Sequence, residues 1–349
     1  MRYKLFGNTG LRVSELCLGA MTFGEEWGWG SSKEDSRKVY DRFVEAGGNF
    51  IDTANLYTNG TSERYVGEFI ASDRGHIVLA TKYTLTLRPE DPNAGGNHRK
   101  NLVQSLDASL NRLNTDYIDL LWVHAWDFMT PSDEVMRALD DAVRAGKVIY
   151  IGVSDAPAWI VSRANTLAEL KGWTSFAGLQ IQYSLIERTP ERDLLPMAKA
   201  MDIAITPWGA LGGGMLSGKY KSGKGKPHGA RYDVAAEWGS VFLTERNFRI
   251  ADVVSEVAAE TGRSASQVSL AWLRQQSWGV IVPIIGARTV AQVYDNMGCL
   301  DLVLTDAQLS RLDEASRIEL GFPHDFLVGA RKYVFGDTYP LIDAHRTRS

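Results

Sequence analysis

Short apolar runs alternate with helical patterns along most of this chain, and that alternation limits the fold more than any other feature. Helical spacing is expected over residues 34–46, 62–71, 99–113, 132–145, 157–170, 191–200, 245–261, 264–275 and 290–297. Strand candidates fall between them at 49–52, 77–81, 117–123, 148–153, 178–182, 203–206 and 280–282. Strands that are apolar along their whole length belong to parallel sheets covered on both faces. About eight of them alternating with helices fit a (β/α)8 barrel, an architecture of ~250 residues. A doubly wound open sheet competes, but it binds dinucleotides at a glycine-rich turn after its first strand. Here the turn after Phe50-Ile51-Asp52 has no glycine before Gly60.

The 349 residues hold three additions to the repeat. Lys4-Leu5-Phe6 and Leu16-Cys17-Leu18, joined through Gly7 to Gly10, are expected to form an N-terminal β-hairpin closing the barrel floor. The stretch 209–244 is a long loop rich in glycine and basic residues. Residues 318–349 form a C-terminal extension, expected near the pocket or at a subunit interface of a single domain spanning 1–349. Long loops after barrel strands usually carry function.

A formal charge of −4 gives no general attraction to nucleic acid or anionic membrane. No run of 18 apolar residues predicts a membrane span, and the N-terminus lacks the apolar core of a signal peptide. Cys17 and Cys299 are read as small buried hydrophobes in a reducing compartment, with the cytoplasm as the expected location. The six histidines show no paired metal-ligand spacing, so no metal is expected. No Gly-x-Ser-x-Gly elbow of a hydrolase is present. The basic cluster Lys219, Lys221, Lys224, Lys226 and Arg231 reads as a loop near phosphate rather than a nucleic-acid patch.

Barrel enzymes place their chemistry at the carboxyl ends of the strands. Asp52, Lys82, His124, Ser154, Gln180 and Trp208 each lie at or just after a predicted strand end, and Tyr57 lies in the following loop. One fold therefore brings seven sequence-distant groups to one rim. Among them, a Tyr beside a Lys can serve as a proton donor, because an ammonium favours the phenolate and lowers a pKa of about 10.

The segments Phe50-Ile51-Asp52-Thr53-Ala54-Asn55-Leu56-Tyr57, Val78-Leu79-Ala80-Thr81-Lys82 and Asp119-Leu120-Leu121-Trp122-Val123-His124 together resemble the aldo-keto reductase superfamily. The resemblance runs from about Leu11 to about Arg317 and is nearest the aryl-alcohol dehydrogenase-like branch. It implies a catalytic tetrad of Asp52, Tyr57, Lys82 and His124. Tyr57 would be the general acid, with Lys82 lowering its pKa and Asp52 holding Lys82. His124 would donate to the carbonyl oxygen as charge develops.

The resemblance also implies a nicotinamide cofactor. Ser154 and Gln180 would bind its carboxamide, and Trp208 would stack on the ring. Asp155 stands where many members carry Asn, although Ser-Asp is familiar in the aryl-alcohol dehydrogenase-like branch that this chain resembles; unprotonated, it accepts hydrogen bonds but donates none. The turn through Gly209, Leu211, Gly213 and Lys219 brings backbone N–H groups close to an anion. It nearly matches a P-loop, but Tyr220 replaces the metal-binding hydroxyl. Gly286, Arg288, Gln292 and Asn296 would bind the adenosine end at a helix N-terminus. Arg288 is a partner for a 2′-phosphate, so NADP (as NADPH) is expected and NAD is less favoured. Met21, Trp27, Trp29, Tyr83, Trp126, Phe322 and Phe326 are expected to line a pocket for a small carbonyl substrate. A homo-oligomer is left open.

Two other classes share parts of this pattern. Similar chains serve as potassium channel β-subunits, where the nucleotide is sensed rather than turned over. A barrel lyase or isomerase using Lys82 as a Schiff base would need no nicotinamide.

Overall fold

The structure, a computed structural model, describes residues 1–220 and 241–343. Of the basic cluster, Lys221, Lys224, Lys226 and Arg231 lie outside the described residues. A two-stranded antiparallel hairpin comes first, β1 (Tyr3–Leu5) with β2 (Arg12–Ser14). The repeat then runs β3 (Cys17–Gly19), α1 (Lys33–Glu45), β4 (Phe50–Asp52), α2 (Thr61–Ile70), β5 (Val78–Tyr83), α3 (Arg99–Leu113) and β6 (Ile118–Val123). It continues with α4 (Ser132–Arg144), β7 (Val148–Ser154), α5 (Ala158–Lys171), β8 (Phe176–Gln182), α6 (Leu194–Ala200) and β9 (Ala204–Trp208). After α7 (Glu245–Thr261) and α8 (Ala265–Arg274) come β10 (Ile284–Gly286), α9 (Val290–Met297), α10 (Asp306–Ser316) and α11 (His324–Phe335).

The eight strands β3 to β10 form one parallel sheet in the order β10-β3-β4-β5-β6-β7-β8-β9. A parallel bridge between Ile205 and Ile281 joins its two ends, with Ile205 N donating to Val280 O at 2.7 Å and Val282 N to Ile205 O at 2.8 Å. The result is the expected (β/α)8 barrel, with the expected N-terminal hairpin.

Two expectations about strands are corrected. The partner of β1 is Arg12–Ser14, not the Leu16-Cys17-Leu18 run. All three residues of Cys17–Gly19 are buried, so this run belongs in the covered sheet and forms the first barrel strand. The last barrel strand is Ile284–Gly286 rather than 280–282. Pro283 has no N–H for a ladder, and its carbonyl accepts from Cys17 N at 3.0 Å, so regular pairing starts beyond it. The helix expected at 191–200 also starts later, at Leu194, after a 3-10 turn at Thr189–Glu191.

Local chemistry explains the helices. α8 and α10 begin with capping boxes, Ser264 with Gln267 and Thr305 with Gln308. In α4, Val135, Met136, Leu139 and Ala142 share the buried face at helical spacing.

The barrel interior is filled by a separate apolar layer built around Trp122, which has no exposed surface. Gly152 and Gly178 make room for this indole. A Cβ on Gly152 would stand 2.3 Å from it, and one on Gly178 2.7 Å. Phe6, just after the first hairpin strand, packs edge-on against Trp122 and Phe50, with ring centroids 6.4 and 5.7 Å apart. The floor is therefore sealed, and chemistry is confined to the opposite rim.

The C-terminal extension forms α11, in which no residue is buried. Phe322 and Phe326 are 84% and 64% exposed and lie against each other, ring centroids 6.1 Å apart. Among the described residues, no helix is long and apolar enough to cross a membrane. Cys17 and Cys299 are buried and unpaired.

Candidate active site

Strand alternation decides which groups enter the barrel. On β5, Ala80 joins the interior layer while Leu79 and Tyr83 join the core behind the strand, so Lys82 points inward. Lys82 is in register with Trp122, and Asp52 with Ala80, which sets Asp52 and Lys82 side by side above the indole. Lys82 Nζ forms a buried ion pair with Asp52 Oδ2 and donates to Thr53 O at 2.8 Å. The other Asp52 oxygen accepts from Gln180 Nε2 at 3.0 Å. Asp52 is thus held from both sides, as a buried carboxylate requires.

Tyr57 lies over this pair, its ring centroid 4.6 Å from Lys82 Nζ. Its ring meets that of His124 edge-on at 5.8 Å and that of Trp27 edge-on at 6.2 Å. The loop behind Tyr57 is strained. Thr58 and Asn59 are left-handed at φ 46 and 55, an outlying state for a β-branched residue. The Thr58 hydroxyl donates to Phe23 O at 2.6 Å and accepts from Ser62 N at 3.0 Å, which holds the turn in place. Asn55 ties the same loop to the Lys82 strand, its N–H to Lys82 O at 3.2 Å and its Nδ2 to Leu85 O at 3.0 Å. Sequence reasoning passed over both Thr58 and Asn55, because neither carries a periodic or motif signal.

Burial pushes the Tyr57 phenol above its ordinary value, and the Lys82 ammonium opposes this without reversing it. Lys82 thus acts in the expected direction, but desolvation outweighs it and the net shift is upward. Burial works against charge on Lys82, but Asp52 and Tyr57 hold its pKa above the ordinary lysine value. Burial, then repulsion from Lys82, holds His124 well below the usual histidine value. The site combines a protonated phenol, a charged ammonium and a neutral imidazole, which suits giving a proton to an oxygen that is gaining charge.

The remaining residues form two groups. In the first, Ser154 and Gln180 are paired across β7 and β8, both buried, and Asp155 N donates to Gln180 O at 3.2 Å. Trp208 Nε1 donates to Asp155 Oδ1 at 3.0 Å. After Trp208, Gly209, Gly212, Gly213, Gly214 and Gly218 all have φ between +53 and +102, angles natural to glycine. The Leu211 carbonyl closes this turn by accepting from Gly214 N at 2.9 Å. A Cβ on Gly214 would stand 2.5 Å from Lys219 Nζ, so the lysine head lies against glycine backbone. In the second group, Thr289 caps α9, Gln292 Oε1 accepts from Arg288 N at 2.8 Å, and Asn296 Nδ2 donates to Gly286 O at 3.3 Å. Among the described residues, nothing lies within 4 Å of a Cβ built on Gly286. An indole at a strand end, a cationic glycine turn and an open helix N-terminus suit a planar ring carrying phosphates.

Of the pocket candidates, Trp27 stands beside Tyr57 and packs on Trp29, with ring centroids 5.7 Å apart. Trp126 belongs to the main buried core, with its N–H donating to Asp155 O at 3.4 Å. Tyr83 is corrected: it faces away from Lys82, fully buried, and its hydroxyl donates to Asn97 O at 3.1 Å. Among the described residues, no cluster of three His, Cys, Asp or Glu side chains could hold a metal ion.

Comparison with known proteins gives a consistent picture. The profile of the Aldo/keto reductase family matches residues 15–317. The chain is 42% identical over 329 residues to a norsolorinic acid reductase of Emericella nidulans, covering 91% of this chain and 82% of the relative. It is 37% identical over 336 residues to an aryl-alcohol dehydrogenase of Pestalotiopsis microspora, covering 93% and 85%. It is 36% identical over 354 residues to an aldo-keto reductase of Aspergillus calidoustus, covering 98% and 88%.

Proposed function

The chain belongs to the aldo/keto reductase family and is an oxidoreductase of the carbonyl group, and from that premise we propose that it reduces aldehydes or ketones with NADPH, using Tyr57 as proton donor. The observation that carries this reading is the position of Tyr57 above the buried Lys82–Asp52 pair, with His124 at its edge.

The bound nucleotide would supply hydride to the carbonyl carbon. Tyr57 gives its phenolic proton to the carbonyl oxygen, so that the C=O bond becomes an alcohol. A phenol held above its ordinary pKa stays protonated at neutral pH and is ready to act as an acid. Lys82 offsets the negative charge left on the phenolate, which is then reprotonated from water. Asp52 and Gln180 hold the ammonium in line. His124, kept neutral, donates one N–H to the same oxygen.

Ser154 and Gln180 would hold the carboxamide of the nicotinamide; with Nε2 committed to Asp52, Gln180 offers Oε1 as an acceptor. Gly209, Leu211, Gly213 and Lys219 would hold the phosphates, and Gly286, Arg288, Gln292 and Asn296 the adenosine end. Arg288 favours a 2′-phosphate, hence NADP over NAD. The aromatic wall of Trp27 and Trp29, with relatives named for norsolorinic acid and aryl alcohols, favours an aromatic carbonyl substrate. Two buried thiols suit a reducing compartment such as the cytoplasm.

The test is NADPH oxidation, followed by absorbance, with aromatic and aliphatic carbonyls, comparing wild type with Tyr57→Phe. Turnover should fall by about two to four orders of magnitude in the variant while nucleotide binding is kept. Equal turnover in both would remove Tyr57 from its role.

A further inference from the structure

Asp155 stands after Ser154 at the end of β7, and its contacts suggest a different task from binding an amide. Its backbone is left-handed at φ +47, a state that Asp and Asn tolerate better than most residues. Both backbone polar groups are bound: N–H to Gln180 O at 3.2 Å, and O to Trp126 N at 3.4 Å. The residue is therefore fixed between the ends of β6, β7 and β8. Its side chain then reaches the end of β9, where Oδ1 accepts the indole proton of Trp208 at 3.0 Å.

An indole has one donor, Nε1–H, and its outer torsion is otherwise broadly distributed. Anchoring that donor sets the ring plane. A carboxylate is acceptor-only, and here it accepts from the indole N–H of Trp208.

Building on the reductase reading above, we propose that Asp155 is a positioning residue: its carboxylate holds the Trp208 indole in the plane that receives the nicotinamide ring, and it does not itself bind the carboxamide.

The test uses full-length protein labelled with 15N-tryptophan. The Trp208 indole N–H resonance is assigned, without nucleotide, by its loss in Trp208→Phe. Asp155→Gly removes the carboxylate while tolerating the left-handed backbone. Asp155→Asn keeps an acceptor at Oδ1. In Asp155→Gly the Trp208 resonance should move upfield in the proton dimension and exchange faster, with the other indole resonances unmoved. In Asp155→Asn it should stay near its wild-type position. NADPH affinity should drop roughly tenfold in Asp155→Gly, the worth of about one hydrogen bond, and by much less in Asp155→Asn. An unmoved resonance in Asp155→Gly would overturn the proposal. So would an Asp155→Asn protein that keeps the resonance but loses as much affinity as Asp155→Gly, because that marks a direct ligand. A wild type that binds no nicotinamide nucleotide defeats the reductase reading instead, and the resonance still decides whether Asp155 holds the indole.

Discussion

Asp52 and Lys82 meet as an ion pair inside the barrel, side-chain exposures 4% and 0%, with every strong partner of the pair supplied by the protein. Removing either member leaves an uncompensated buried charge, which destabilises by about 3–5 kcal/mol, whereas an apolar pair of similar volume is often tolerated. Asp52→Leu and Lys82→Met are each expected to lose stability on that scale. The double variant should regain most of it in urea unfolding yet remain without turnover. A double variant that reduces carbonyls at the wild-type rate would make the pair purely structural.

Two pH effects follow from the titrating groups. Because burial holds the Tyr57 phenol above its ordinary value, kcat/KM for reduction should be flat through neutrality and fall only above about pH 10. An inflection near pH 7 that disappears in Tyr57→Phe would contradict this. His124 acts on stability. Its folded pKa is lowered, so as pH falls through the unfolded value of about 6.5 the unfolded chain takes up a proton that the native state refuses. Stability is therefore complete above that value and declines below it, by up to about 1.4 kcal/mol per pH unit. Urea midpoints measured between pH 5 and 8 should show this decline in wild type, and a smaller one in His124→Gln.

Gly152 has no special backbone angle; it is required by volume. Gly152→Ala puts a methyl 2.3 Å from the Trp122 ring and should destabilise by about 1–3 kcal/mol. Adding Trp122→Phe should recover part of that loss in thermal unfolding. No loss in the single variant would mean that the interior layer repacks freely.

Asn55 separates stability from turnover. Its Nδ2 bond to Leu85 O is stabilising, but its Oδ1 is buried with no partner among the described residues. Asn55→Ala sheds both, so stability should change by less than about 1 kcal/mol. The loop carrying Tyr57 loses a tie to the Lys82 strand, and turnover should fall about tenfold with nucleotide affinity kept. Stability lost in step with turnover would show that Asn55 is only a packing residue.

Long, periodic elements were legible from residues alone. The helices Arg99–Leu113, Glu245–Thr261 and Val290–Met297 have the bounds that their spacing predicts. Short apolar runs were not. Leu16-Cys17-Leu18 and the run from Val280 to Ile285 are apolar throughout, and only pairing across the whole chain decides which residues join the ladder. The strand-end rule brought Asp52, Lys82, His124, Ser154, Gln180 and Trp208 to one rim. The period of two also held the answer for Tyr83, since an inward Lys82 sends its neighbour outward. The bonds from Gln180 to Asp52 and from Trp208 to Asp155 are tertiary contacts between unrelated segments, with no local signature. The direction of the Tyr57 shift depends on how much water the folded site excludes.

The seam of the barrel also sets a timetable. Gly19 pairs with Gly286, so the first strand of the barrel finds one of its two neighbours only after nearly the whole repeat has been made. Closing so long a loop is entropically slow, and contacts of this sequence separation retard folding. During synthesis, β3 would have one edge unpaired until β10 has been made. The helix N-terminus beside Gly286 comes into place with the same event. On the proposed reading, a newly made chain would complete its nucleotide site last, when β10 closes on β3.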